Sequence, residues 1–217
     1  TELVHLAEQS GRVLLVGRLL EYHPALHILR DMVHRGELGK IRYIYSNRLN
    51  LGRMRTEENV LWSFAPHDIA AILGLMGNGM PVEVAAHGGS YLDSHVADVT
   101  LTSLTFQSDV RAHVFVSWLH PFKEQRLVVI GEKKMAEFAD TDPADKLKVY
   151  EHQVNWSAHA PYPVKAEAQS IPFATDEPLK LECEDFLRCM ESREAPVSNG
   201  TRALEVLRVL AACQQSL

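Results

Sequence analysis

The 217-residue sequence has few cysteines, no excess of basic residues and no long apolar run. A helix that crosses a membrane needs about 18 or more consecutive apolar residues, and none occur here. The 22 basic and 28 acidic residues give a formal net charge of −6, which does not suit a surface that neutralises nucleic-acid phosphates. We therefore expect no nucleic acid and no membrane among the partners, and we expect small molecules or other protein chains instead.

Only three cysteines are present, namely Cys183, Cys189 and Cys213. Their number is odd, they have no CxxC or histidine spacing, and they fall in apolar helical patterns, which favours buried free thiols in a reducing cytoplasm over a disulfide framework. The N-terminus lacks the charged region and apolar core of a secretion signal. The chain also opens without methionine, inside a helical pattern, as though an upstream part had been removed.

The first 36 residues have the pattern of an α/β unit. "ELVHLAEQSG" predicts the tail of a helix that ends at Gly11, and "RVLLVG" over residues 12–17 predicts a buried strand. The next segment predicts a helix with Pro24 in its first turn and Gly36 at its end.

A strand is predicted over residues 41–50, where side chains alternate between two faces. Arg48 and Asn50 share one face, and Arg53 and Arg55 follow in the next loop. These groups could hold an anionic or sugar ligand through charged hydrogen bonds. The alternative is an ordinary solvated strand end.

From Val82 to about Ile171, seven runs with a period of two predict a large, mainly antiparallel sheet, and two helices close the chain. The fold class is therefore α+β. One run, "VRAHVFVSWL", places five apolar residues on one side of its strand: Val110, Ala112, Val114, Val116 and Trp118. Such a side needs covering by helices or by another subunit, and we predict a homodimer or homotetramer.

A helix from about Pro66 to Met76 is predicted to carry His67 and Asp68 at its start. A histidine has an ordinary pKa of about 6.5 and can give or take a proton near neutral pH. The other interpretation is structural: His67 caps or packs the helix start, and Asp68 interacts with the positive end of the helix dipole. The residues alone leave both interpretations open.

Two further kinds of site find little support. His23 and His27 are four residues apart, but no HExxH motif or carboxylate partner accompanies them, so we predict no metal. No GxGxxG motif occurs, so the chain has no dinucleotide-binding fingerprint of its own.

Several segments in the same order resemble the Gfo/Idh/MocA oxidoreductases. They include "GRVLLVGRLLEYHPALHILRDMVHRGELGKIRYIYSNRLNLGRMRTEENVLWSFAPHDIAAIL", "SWLHPFKEQRLVVIGEKKMAEFAD" and "FLRCMESREAPVSNGTRALEVLRVL". Within that family, the branch of UDP-N-acetyl-2-amino-2-deoxyglucuronate 3-dehydrogenases is the most similar. The resemblance implies that residues 1–35 are a remnant of an N-terminal NAD(P)-binding Rossmann domain. It implies that residues 36–217 form a C-terminal α+β domain for substrate binding and oligomerisation, whose large sheet has helices on one face.

The resemblance also implies a catalytic role for His67. In the family, a histidine at this position works with a lysine of a Glu-Lys-Pro motif, which lies ahead of the helix with which this chain starts. Many relatives carry an aspartate four residues before the histidine. Here that position holds Ser63, which could hydrogen-bond a sugar hydroxyl but cannot replace a carboxylate base.

Other implied roles concern the substrate and the cofactor. Arg48, Asn50 and Ser63 would position a sugar or nucleotide sugar, and Tyr22 and His23 would contact the cofactor near the nicotinamide. The sequence does not distinguish NAD from NADP, because the selecting residue lies upstream, as does the main cofactor site. We expect the 217-residue chain alone to be inactive. The alternative function is a non-catalytic domain that oligomerises or binds a sugar.

Overall fold

The computed structural model describes residues 1–77, 79–93, 95–157 and 160–217. The helices are α1 (Glu2–Ser10), α2 (Pro24–His34), α3 (Val60–Leu75), α4 (Pro178–Ser192) and α5 (Gly200–Ser216), with a short 3-10 helix at Leu19–Tyr22. The strands are β1 (Ile41–Leu49), β2 (Glu83–Gly89), β3 (Val99–Thr105), β4 (Arg111–Ser117), β5 (Glu124–Gly131), β6 (Met135–Ala139), β7 (Leu147–Tyr150), β8 (Gln153–Ser157), β9 (Ala160–Val164) and β10 (Ala168–Ser170).

Eight of these strands form one sheet in the order β10-β7-β6-β5-β1-β4-β3-β2. Neighbours run antiparallel except for β1 and β4, which pair in parallel with Ile44 beside Ala112. A parallel pair needs a long crossover, and here the chain passes through α3, β2 and β3 between the two strands. The prediction of an α+β fold with a large, mainly antiparallel sheet is confirmed.

Helices α3 and α5 cover one face of the sheet. The apolar side of the β4 segment faces them, so Val114, Val116 and Trp118 are almost completely buried within this chain. Another subunit is therefore not needed to cover the side on which the prediction of an oligomer was based. The opposite face carries half-exposed residues, among them Tyr45 and His113, whose rings stack with centroids 5.4 Å apart.

The N-terminal segment differs from the sequence prediction in one element. Helix α1 ends at Gly11, whose φ of 61° lies in the left-handed region, and α2 begins at Pro24, both as predicted. The predicted strand over residues 12–17 is wrong. Leu15 makes a single isolated bridge to Asn199, and residues 13–16 are only half-buried. An apolar run becomes a strand only where a neighbouring strand can accept its hydrogen bonds, and the eight-stranded sheet does not extend to this segment.

Sequence analysis missed the separate two-stranded sheet that β8 forms with β9. Pro161 and Pro163 lie in β9 and obscure the strand pattern, because proline removes a hydrogen-bond donor and is tolerated mainly in edge strands. All the residues of both strands are exposed.

Helix α4 also differs from expectation. Its apolar residues and Cys183 are largely exposed: Leu179, Cys183, Phe186, Leu187 and Met190. The helix buries Glu182 and Cys189 instead. Cys213 is buried as well, so two of the three thiols lie in the interior as expected, whereas Cys183 does not.

Candidate active site

Helix α3 begins at Val60, six residues earlier than predicted. The Asn59 side chain caps it by accepting a hydrogen bond from the Trp62 backbone N–H at 3.2 Å. Pro66 therefore lies inside the helix, where its missing N–H leaves one backbone hydrogen bond unmade. The predicted start near Pro66 was wrong because proline usually marks a first helical turn. His67 is thus two turns into the helix and not at its head.

Asp68 ties α3 to β1. Its carboxylate is almost completely buried and accepts hydrogen bonds from Ser46 Oγ at 2.6 Å and from Arg48 Nε at 2.7 Å. A third bond comes from Arg48 Nη2 at 3.2 Å, so the ion pair is bidentate. The prediction that Asp68 interacts with the helix dipole as a helix-start residue is wrong. The carboxylate instead forms a buried ion pair with a neighbouring strand.

The ion pair continues into a chain of polar contacts across the sheet. Gln125 lies beside Arg48 on the neighbouring strand β5. With its amide oriented as its neighbours require, its oxygen accepts from Arg48 Nη1 at 3.2 Å and its nitrogen donates to Asp140 Oδ2 at 3.2 Å. Asp140 also accepts from Lys146 at 2.6 Å and lies 3.8 Å from His23 Nε2. The contacts thus connect the neighbour of His67 with the segment that carries His23.

His67 is half-buried, and its Nδ1 is enclosed without a hydrogen-bond partner in the described part of the chain. Burial lowers the pKa of the imidazole below its ordinary 6.5, and the guanidinium groups of Arg48 and Arg18 lower it further. The Asp68 carboxylate opposes them and raises the pKa. The ring is therefore neutral at neutral pH and can accept a proton.

The structure brings some predicted site residues together. Ser63 and His67 both lie on α3, four residues apart, and so share one face of the helix. Arg48 is close enough to His67 to affect its charge. Asn50 directly follows β1, where its backbone N–H donates to the Ser117 carbonyl at 3.1 Å. These residues therefore belong to two adjoining elements, β1 and α3.

The loop after β1 carries the other two arginines that sequence analysis considered. Arg53 and Arg55 are both exposed, and Arg55 forms an ion pair with Glu58.

Tyr22 is the last residue of the 3-10 helix and His23 lies between that helix and α2, and each has partners within the chain. The Tyr22 hydroxyl donates to Asp185 at 2.9 Å and contacts Ser198 at 3.0 Å, and burial raises its pKa to about 12. His23 caps α2 by accepting from the Ala25 N–H at 3.2 Å. These contacts explain the fixed position of the segment without requiring a ligand.

Three residues of this region were missed by sequence analysis: Ser46, Gln125 and Asp140. Ser46 had a detectable signal, because it stands between Ile44 and Arg48 on the inward face of a predicted strand. A polar residue there needs a buried partner. Gln125 and Asp140 had no such signal, because their contacts depend on how β5 and β6 align with β1.

Cavity volume does not identify this site. A groove of about 650 Å³ lies between α1 and the start of α5, where Ala7, Gly11, Arg193 and Gly200 are among its lining residues. His67, Arg48 and Asp68 do not line it. The candidate site is therefore defined by its titratable groups and their contacts.

The described residues also bear on metals, membranes and cofactors. Among them, no three His, Cys, Asp or Glu side chains come together as a metal-binding group. None of the described helices combines the length and apolar character that crossing a bilayer requires. The sequence has no GxGxxG motif, the glycine-rich turn that holds the phosphates of a dinucleotide.

The chain belongs to the Gfo/Idh/MocA family, because the profile of the GFO/IDH/MocA C-terminal domain matches residues 26–137. This match includes β1, α3 and the residues around His67. No curated protein sequence matches the chain.

Solved structures are similar over nearly the whole chain. UDP-N-acetylglucosamine 3-dehydrogenase GnnA from Acidithiobacillus ferrooxidans has a TM-score of 0.83 at 22% identity, covering 100% of this chain and 66% of that protein. Aldose-aldose oxidoreductase from Caulobacter crescentus has a TM-score of 0.76 at 18% identity, with coverages of 98% and 64%. An oxidoreductase domain protein from Kribbella flavida gives 0.79 at 15% identity, with coverages of 98% and 66%. The chain thus spans less than two thirds of each of these proteins, and the likeness establishes its fold.

Proposed function

We propose that this chain is the substrate-binding part of an NAD(P)-dependent oxidoreductase that acts on a secondary alcohol of a sugar or nucleotide sugar. The observation that carries the proposal is the half-buried imidazole of His67, which lies on α3 beside a buried ion pair and whose pKa is lowered by burial. The family match covers this region. Two of the similar structures are named as enzymes of UDP-N-acetylglucosamine and of aldoses, which supports a sugar substrate.

In this proposal, His67 takes the proton from the substrate hydroxyl as general base and returns it in the reverse direction. Because Nδ1 is enclosed, we assign the proton transfer to Nε2. Ser63 lies on the same helix face and would hydrogen-bond a neighbouring sugar hydroxyl, as would Asn50 at the end of β1. Arg48 would not contact the sugar but would hold Asp68 and α3 in place, because Asp68 and Gln125 already occupy both edges of its guanidinium.

The cofactor, NAD or NADP, supplies hydride acceptance and donation when it is bound. We propose that its main binding site lies outside residues 1–217, and that Tyr22 and His23 lie on the segment next to the nicotinamide. This division makes residues 1–35 part of the cofactor domain and residues 36–217 the substrate domain. The three cysteines are unpaired, in keeping with the cytoplasmic location that we propose.

We also propose a homodimer or homotetramer formed through the sheet face opposite α3 and α5. That face carries a row of exposed and half-exposed rings, where Tyr43, Tyr45 and His113 stack with centroids 5.4–6.0 Å apart. Aromatic residues are enriched in protein interfaces. Light scattering at micromolar concentration should give a mass above that of one chain, and a clean monomer would contradict the oligomer.

The test of the catalytic role uses the longest polypeptide that the gene encodes, assayed with NAD(P) and a panel of UDP-sugars. We expect His67→Ala to lower turnover by about 100-fold to 10,000-fold, the usual range for loss of a general base. The matched control is His87→Ala, because His87 is exposed on the edge strand β2. Equal turnover in His67→Ala and the unchanged protein would return His67 to a structural role.

A non-catalytic sugar-binding domain is the second candidate, because Ser63 on α3 and Asn50 at the end of β1 could hydrogen-bond sugar hydroxyls without any cofactor. Calorimetric titration of the 217-residue chain with NAD(H) and with UDP-sugars separates the two functions when the longer polypeptide is titrated in parallel. Cofactor binding by the longer polypeptide alone supports the oxidoreductase. Sugar binding by both without any cofactor binding supports the second candidate.

A further inference from the structure

The ion pair between Arg48 and Asp68 is more completely satisfied than an ordinary contact between a strand and a helix. Asp68 accepts three hydrogen bonds, two from Arg48 and one from Ser46. The guanidinium is held on its other edge by the Gln125 amide oxygen. Their side chains are 11% and 5% exposed, so water contributes little to either charge. Burying two charges costs free energy, and hydrophobic contacts could have joined β1 to α3 without that cost.

The position of the pair suggests a use for it. Asp68 follows His67 directly in the chain, and successive residues of an α-helix point about 100° apart around its axis. Hydrogen bonds that fix the Asp68 carboxylate against β1 therefore also fix the rotation of α3. The direction in which His67 points is set by the same bonds.

The charges that act on His67 come from a strand, a helix and the segment before the 3-10 helix. Arg48 on β1 and Arg18 before the 3-10 helix oppose protonation of the ring, whereas Asp68 on α3 favours it. Arg18 is held in its own ion pair with Glu21. Asp68 and Arg48 therefore act on the ring in opposite directions from adjacent positions.

We propose that Arg48 and Asp68 are positioning residues, which hold the His67 imidazole in place and control its charge. The proposal deepens the function assigned above, since it concerns the residue that we expect to transfer the proton. Neither residue needs to touch the substrate. Loss of either charge should change the pH at which His67 becomes protonated, and the two losses should act in opposite directions.

The test is an NMR titration of the His67 ring protons in the 217-residue chain, which needs neither cofactor nor activity. Asp68→Asn leaves the Arg48 charge uncompensated, so the midpoint should fall by about one pH unit. Arg48→Met removes a positive charge and should raise the midpoint by a similar amount. The matched control is Arg42→Met on the same strand, whose ion pair with Glu132 is exposed, and it should leave the midpoint unchanged.

A further variant, Arg48→Lys, keeps the proposal testable if Arg48→Met does not fold. This variant retains the charge and loses the paired hydrogen bonds, so its midpoint should stay close to that of the unchanged chain. Opposite shifts in Asp68→Asn and Arg48→Met support the proposal. Shifts in the same direction, no shift in Asp68→Asn, or a large shift in Arg48→Lys would overturn it.

The pH profile of kcat/KM in the longer polypeptide separates this inference from the proposed function. Under both proposals, the acidic limb moves with the NMR midpoint in each variant. If the longer polypeptide is inactive but the NMR midpoints shift as expected, the proposed oxidoreductase function is contradicted. The positioning role of Arg48 and Asp68 is then still supported. An active enzyme without opposite midpoint shifts would contradict the positioning role alone.

Discussion

Two buried ion pairs contribute charges that act on His67, and they differ in how completely their atoms are hydrogen-bonded. In the pair of Arg48 with Asp68, two hydrogen bonds of 2.7 and 3.2 Å join the groups. In the pair of Arg18 with Glu21, Arg18 Nε lies 2.8 Å from Glu21 Oε2, but the two groups are not aligned as a hydrogen bond. Arg18 Nη2 likewise has no hydrogen-bond partner among the described residues.

The difference follows from where the partners come from. Arg48 and Asp68 lie on separate elements, a strand and a helix, whose packing can be adjusted to align the two groups. Arg18 and Glu21 are three residues apart at a short 3-10 helix, so the turn dictates how they meet. Burial lowers the pKa of Arg18 and raises the pKa of Glu21, which disfavours both charged forms. Proximity of opposite charges is thus not sufficient for a favourable pair.

The largest effect should come from breaking the aligned pair. Arg48→Met leaves the Asp68 carboxylate buried with Ser46 as its remaining partner, so the free energy of unfolding should fall by about 3–5 kcal/mol. Urea denaturation followed by circular dichroism measures the loss. Arg42→Met, which breaks the exposed pair with Glu132, should change stability by less than about 1 kcal/mol. Similar losses in both variants would show that burial and alignment do not matter here.

Replacing Arg18 and Glu21 by apolar residues should not lower the free energy of unfolding. In the double variant Arg18→Met with Glu21→Leu, apolar contacts replace two poorly satisfied charges. The free energy of unfolding should therefore stay the same or rise by up to about 1–4 kcal/mol. The backbone hydrogen bonds of residues 18 and 21 do not depend on their side chains and are kept, including that from the Arg18 N–H to the Glu182 carboxylate at 2.9 Å. A loss as large as that of Arg48→Met would mean that the two pairs are equivalent after all.

The smallest predicted effect is the loss of stability at acidic pH. Each ion pair has a histidine beside it. His67 directly precedes Asp68 in the chain, and His27 Nε2 donates to the Glu21 backbone carbonyl at 2.6 Å. Burial lowers the folded-state pKa of both below 6.5, so protons bind the unfolded chain more readily. Their contribution to stability is present above pH 6.5 and is lost as the pH falls through the lowered values.

The acid effect is checked with thermal unfolding between pH 7.5 and 5, roughly the range over which histidine titrates. His27→Gln should reduce the dependence of stability on pH, because it removes one of the two groups. His87→Gln, at an exposed position, should leave that dependence unchanged. An unaltered slope in His27→Gln would show that His27 does not resist protonation in the folded state.

Much of the fold was predictable because burial imposes a period on the sequence. The strands of the main sheet alternate between buried and half-exposed positions, as in β4 with Ala112, Val114 and Val116 inside. The start of α3 was not predictable in the same way, since Pro66 gave a stronger local signal than the Asn59 cap. The β8–β9 hairpin was missed because its strands are exposed throughout and so have no burial pattern.

Only part of the candidate site could be predicted from the sequence. His67, Ser63, Arg48 and Asn50 could be chosen as chemically suitable residues, and the structure places them on two adjoining elements. The catalytic role of His67 and the substrate contacts of Ser63 and Asn50 stay predictions, whereas Arg48 is held by Asp68 and Gln125 and is proposed to position His67. The partnership of Arg48 with Asp68 could not be predicted, because 20 residues and a loop separate them in the chain.

The sequence by itself determined the class of fold, the main elements and the residue types available for proton transfer, because propensity and periodicity act over short distances along the chain. The tertiary structure decided which face of the sheet is covered, which arginine neutralises Asp68, and which charges surround His67. Those outcomes depend on the packing of α3 and α5 against the sheet and on the register of β5 beside β1. Electrostatic interactions depend on distance in space and on burial, and neither quantity can be read from spacing along the chain.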